Sequence, residues 1–187
     1  MHSSFRYLLP VLLLCGPLRA QADDAVVGDF WIIHHQGKLS ANELFVADGD
    51  PGHIISRSAG VQSLGVYQVY ESAGRATLTS YDVEVDCARN KVRVKDAQDF
   101  NKFAITWTPR SVSHAWQEKP NAWLSQSRDF VCKPDERSSR MLSHMGRMSI
   151  PQMINNSQKA FNAVGRQQVK AAVLKKIDEA FDRMPKK

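Results

Sequence analysis

A cysteine pair, a near-miss of a nucleophile motif, two adjacent histidines and a methionine-histidine cluster are the reactive residues of this 187-residue chain. Gly60-Val61-Gln62-Ser63-Leu64-Gly65 falls one residue off the G-x-S-x-G spacing that lifts a serine onto a strand-to-helix elbow. It lies in a strand-like stretch, so Ser63 is not expected to be a nucleophile. No Walker loop and no H-E-x-x-H motif occurs. His34 and His35 sit side by side on an extended run, so they point to opposite faces and cannot both grip one ion. The segment "MLSHMGRM" (141–148) offers thioether and imidazole ligands of the kind Cu(I) prefers. Its Met141, Met145 and Met148, however, recur at i, i+4 and i+7, the spacing of a packing face on a helix. The expectation is a chain with no catalytic residue, no metal and no cofactor.

The cysteines depend on the compartment. Arg6, then the apolar run 8–18, then Ala20-Gln21-Ala22 read as a signal peptide over 1–22, with the mature chain starting at Asp23. The apolar run is too short to span a bilayer. Leu14 before Cys15 is not the small residue of a lipobox, so Cys15 is assigned to the discarded leader. Cys87 and Cys132 remain. An even count in an exported protein predicts one disulfide, Cys87–Cys132. The location expected is the periplasm, the cell surface or the medium.

The elements that must hold these residues change character along the chain. Residues 23–132 carry 11 Lys/Arg against 14 Asp/Glu, a net of −3, and residues 133–187 carry 12 against 5, a net of +7. The first part reads as an antiparallel β domain, with apolar or alternating runs at 30–35, 43–48, 61–72, 75–87, 91–96 and 103–108. A turn centred on Arg89-Asn90, or a loop over 88–91, sets Cys87 against Val92, Val85 against Val94, Asp86 against Arg93 and Glu84 against Lys95. Residues 109–132 read as irregular. The second part, 133–187, reads as a basic helical extension. Ile154, Phe161 and Val164 mark one amphipathic segment, with a break at Gly165. Val169, Ala172, Val173, Ile177, Ala180, Phe181 and Met184 mark another, ended by Pro185. The fold class predicted is α+β: a small antiparallel sheet with one disulfide, followed by C-terminal amphipathic helices.

Over residues 29–132 the order of features resembles the surface-adhesin protein E family of Gram-negative bacteria. The resemblance rests on Trp31 in the first strand, the stretch "ELFVADGDPGHIISRSAGVQSLGVYQVYES", Asp86-Cys87 ending "YDVEVDC", a basic strand after it, and Val131-Cys132 in a closing "FVC". It implies a small antiparallel sheet braced by a helix. It also implies a non-enzymatic protein that binds host extracellular proteins, and homodimers. The basic extension goes beyond the usual end of that family.

Two functions follow as expectations. One is an exported, adhesin-like binding protein whose sheet meets a host-matrix or envelope partner. The other is a periplasmic accessory component of an envelope assembly that docks through its basic C-terminal helix, with Lys170, Lys175, Lys176 and Arg183 as partner-binding residues. An anionic surface suits those cations. Nucleic acid does not, given export and the lack of interleaved aromatics. The apolar row of that helix is expected to dock partly on the protein's own sheet, with the lysine-rich side free.

Overall fold

The computed structural model describes residues 27–183, apart from 58, 59, 73, 75 and 141. The predicted signal peptide with Cys15, and Met141, Met184 and Pro185, lie outside the described residues. Among the described residues eight strands form one antiparallel sheet: β1 (Val27–Gln36), β2 (Glu43–Asp48), β3 (Ile55–Ser56), β4 (Val61–Tyr70), β5 (Leu78–Asp86), β6 (Lys91–Asn101), β7 (Thr106–Pro109) and β8 (Ser143–Ser149). The spatial order is β7-β6-β5-β4-β2-β1-β8, with β3 paired to the near end of β4. Helix α1 (Ala122–Cys132) covers one face and the start of α2 (Ile150–Asp182) covers part of the other. The α+β class with its sheet, disulfide and C-terminal helix is as expected.

Two apolar layers explain the strand patterns. β2 lies mid-sheet between both helices. Phe45 and Ala47 therefore face α1 while Leu44 and Val46 face α2, and the strand reads as a continuous apolar run. β5 alternates because only its first residue, Leu78, joins the apolar layer under α2. Tyr81, Val83 and Val85 pack beneath α1, and on the other face Leu78 is followed by Ser80, Asp82 and Glu84.

The β5–β6 hairpin closes two positions earlier than expected. Asp86 pairs with Lys91, Val85 with Val92, Glu84 with Arg93 and Val83 with Val94. The shift is even, so every side chain keeps its predicted face. The turn is residues 87–90, with Asn90 at φ 55°, a backbone that asparagine tolerates better than most residues. The Asp86 carboxylate accepts the Arg89 N–H at 2.9 Å. Cys87 is thereby released from the ladder to reach Cys132, the last residue of α1. The predicted disulfide is present, with Cα atoms 5.5 Å apart.

Three sequence expectations are corrected. Residues 122–132 are helical, not irregular: Asn121 after Pro120 caps Leu124 N–H at 3.2 Å, and Trp123, Leu124, Ser127, Phe130 and Val131 form one buried face. Residues 143–149 are the edge strand β8, so the extension that follows Cys132 is not purely helical and contributes to the sheet. Gly165 does not break α2. A Cβ there would come 3.2 Å from Leu39, so its bare backbone lets the helix lie close to the β1–β2 turn.

Candidate functional site

The reactive residues do not converge. The Ser63 hydroxyl donates to Asp82, and His53 Nδ1 lies 2.6 Å from Asp48 Oδ2, so serine and imidazole each serve a carboxylate rather than each other. Both border an open hollow of about 290 Å³ beside β3, with Arg57 and Tyr67 on its wall. That is at the lower edge of the roughly 300–1,000 Å³ of most small-molecule sites, and the hollow is open to solvent. Burial, then the charge of Asp48, pushes the Tyr67 phenol above its ordinary value. His34 is half-buried against Phe45, ring centres 5.7 Å apart, while exposed His35 hydrogen-bonds Asn42 at 3.0 Å. The pair thus splits across the strand as expected, beside a bulge in β1.

The methionine segment divides between the two faces of β8. Met145, Met148 and Met153 pack in the layer under α2. Their sulfurs accept weak hydrogen bonds, Met148 from Asn156 at 3.4 Å and Met153 from Ser157 at 3.7 Å. The helix-face spacing read for Met145 and Met148 is therefore a strand with Gly146 at φ 91°. His144 turns the other way. It stacks on Trp31 at 4.3 Å and its Nε2 lies 2.7 Å from Asp29. Burial raises the Asp29 carboxyl, but hydrogen bonds from His144 and Trp31 outweigh it, and the net shift is downward. Arg147 adds an ion pair to Asp50 at 2.8 Å. These contacts clasp β8 to the sheet. Among the described residues no group of three or more His, Cys, Asp or Glu is placed to hold a metal ion.

The surface stands out instead at the β6–β7 hairpin. Phe103 is 78% exposed and Ile105 80%, with Trp107 about half exposed just behind them. Asn101 shapes the loop by accepting the N–H groups of Phe103 at 2.9 Å and Ala104 at 3.3 Å. Ile105 is held at φ 52°, a left-handed backbone that β-branched side chains adopt only under strain. Lys102 lies 5.1 Å from the Phe103 ring centre, and Phe100 and Trp107 pack at 4.9 Å. Comparison with protein-family models, curated proteins and solved structures finds no match for this chain. The geometry must therefore carry the functional reading. The sheet behind the hairpin is firm. Thr77 N–H donates to Phe100 O on β6 and its Oγ1 accepts the Lys102 N–H in the following turn, and the Arg110 side chain reaches Asp99, Tyr70 and Thr79 at 2.9–3.1 Å.

The sequence reading passed over Phe103, Ile105 and Trp107, because 103–108 looked like a strand. The turn signal was Asn101 and the tight spacing to Pro109. The cations named from sequence are all exposed on α2. Lys175 pairs with Glu179 at 3.8 Å, while Lys170, Lys176 and Arg183 have no ion pair among the described residues. The predicted docking of their helix on the sheet is corrected. Docking stops near Gln168, which exchanges hydrogen bonds with Asn42 at 2.9 and 3.2 Å, and Val169 to residue 183 is solvent-exposed throughout. Among the described residues no helix is long and apolar enough to cross a membrane.

Proposed function

We propose that this chain is an exported, non-catalytic binding protein of the adhesin type, which meets a host-matrix or envelope protein through the β6–β7 hairpin. The observation that carries the reading is the display of Phe103, Ile105 and Trp107 at the end of a disulfide-braced sheet. Large apolar side chains held on a rigid frame are what a protein-binding hot spot requires, because little conformational freedom is lost on contact. The engagement of Ser63 with Asp82 and of His53 with Asp48, rather than with each other, supports the non-catalytic part. The resemblance to the surface-adhesin protein E family points the same way.

The test is a binding panel of extracellular-matrix proteins and envelope extracts, read with wild type and a Phe103→Ala/Trp107→Ala variant. Phe103 is exposed and Trp107 is half-buried over Phe100 at the edge of the fold, so melting should fall only slightly. A loss of about thirtyfold or more in affinity is expected if Trp107 anchors the contact. Equal binding by the variant refutes the assignment. A second reading, an accessory component docking through its basic helix, is favoured by one separate observation: α2 continues well past the sheet with its apolar residues bare.

A further inference from the structure

The apolar row of α2 recurs every four residues: Met153, Phe161, Val169, Val173, Ile177 and Phe181, with Ser157 and Gly165 completing the intervals. A helix turns once in 3.6 residues, so each step of four advances the row by about 40° around the axis. Met153, Ser157, Phe161 and Gly165 are buried against the sheet. Four steps beyond Phe161, the row has rotated by about 160°. At Ile177 it points away from the side on which the helix docks. The bare half is thus not an overhang of the docking face. It is a second apolar face, turned outward, in which Val169, Val173, Leu174, Ile177 and Phe181 are each 45–64% exposed.

The charges sort around that second face. On an ideal helix Arg166 and Lys170 fall within the apolar sector, and Lys176 and Arg183 on one margin. Asp178 alone among the acids borders it. Glu179 and Asp182 lie behind, where Lys175 is occupied by Glu179. None of the four cations in or beside the sector has an ion pair among the described residues. A second copy pairing antiparallel about the middle of the row would set the cations at its two ends, Arg166 and Arg183, against each other. The occupant is therefore apolar in depth and anionic at the level that the long cationic side chains within and beside the sector extend to.

We propose that residues 169–182 of α2 lie in the interface of an anionic lipid surface. The apolar row enters the acyl boundary and Lys170, Lys176 and Arg183 reach lipid phosphates. Such helices are bound jointly by buried apolar area and by attraction to anionic headgroups, and long basic side chains extend to that level readily. The proposal rests on the second reading above in using the same helix, and names its ligand. It leaves the hairpin free to act elsewhere.

The test is flotation of a chain from Asp23 to Lys187, which retains every described residue, with vesicles of phosphatidylglycerol mixed into phosphatidylcholine, or of phosphatidylcholine alone. Binding to the anionic vesicles is expected, weakening as salt rises. Lys170→Gln/Lys176→Gln should lower the partition roughly thirtyfold. Ile177→Ser/Phe181→Ser should lower it at least tenfold with the net charge unchanged. All four sites are exposed, so circular dichroism and melting should match wild type. Phe103→Ala/Trp107→Ala should bind vesicles normally. Equal binding to both vesicle types, or no loss in either helix variant, overturns the proposal. So does helix-dependent dimerisation without vesicle binding. If vesicles are ignored but the helix variants lose an envelope protein, the lipid assignment fails while the second reading stands.

Discussion

Replacing both bridged cysteines, Cys87→Ala/Cys132→Ala, should cost about 4 kcal/mol. The bridge joins positions 45 residues apart. Closing a loop of that length removes about 13 cal/mol/K from the unfolded chain, which is about 4 kcal/mol at room temperature. For a chain of this size each kcal/mol moves the melting point by roughly 2–4 °C, so the expected fall is roughly 8–16 °C. The native fold should survive, since Trp123 remains stacked on Phe45 at 4.9 Å and Leu124 stays buried. Guanidinium unfolding of the double variant and of wild type reduced by a thiol should then coincide. Both should show a lower midpoint and a somewhat steeper slope, because the unfolded chain without the link exposes more surface. A double variant within 1 kcal/mol of wild type, with an unchanged slope, would refute the argument that the bridge acts on the unfolded chain.

Met153→Ala should destabilise by about 2–5 kcal/mol, whereas Ile177→Ala should stay within about 0.5, because the first side chain is fully buried and the second is half exposed; chemical denaturation separates them. Ile105→Asn should raise stability by about 1 kcal/mol by suiting the left-handed backbone, and should weaken partner binding by removing an exposed apolar contact. Burial holds His34 below the ordinary imidazole value of 6.5; the Gln36 hydrogen bond opposes this and the charge of His35 reinforces it. Its contribution is therefore present above pH 6.5 and lost as pH falls through the depressed value, so His34→Phe should flatten the melting profile in that window. Burial, followed by the charge of Tyr70, pushes the Tyr81 phenol up to about 12, and ultraviolet titration should show a phenolate step near that value which Tyr81→Phe removes.

The parts legible in the sequence were those governed by one physical rule. β2 was placed with its observed ends because an apolar run between a loop and Gly49-Asp50-Pro51-Gly52 leaves one choice. The disulfide followed from the even cysteine count left once an export signal was read over 1–22. The hairpin faces came from alternation, but its register did not: Asp86 favours the chain reversal at once by accepting the Arg89 N–H, and alternation is blind to a shift of two. α1 had an Asn cap and a helical apolar face, both readable, yet two prolines and two tryptophans nearby suggested irregular chain. β8 was misread because Met145 and Met148 straddle Gly146, whose positive φ spoils the two-residue period. The hairpin tip was invisible for a different reason. Apolar residues in sequence promise burial, and only the fold reveals that Phe103 and Ile105 are left outside.

The pairing of β1 with β8 governs the order of assembly. Val27 meets Ser149 and Asp29 meets Arg147, with nearly the whole described chain between them. β1 also takes β2 as its other neighbour, through a short turn. A chain emerging from its N-terminus therefore builds β1, β2, β4, β5 and β6 by local hairpins and then waits with the outer edge of β1 unpaired. Contacts this distant are closed slowly, because the loop entropy must be met before any bond forms. Throughout that interval β1 offers a row of free amides and carbonyls to any other extended chain. The arrival of β8 ends this exposure, and α2, which begins at the very next residue, docks over the junction.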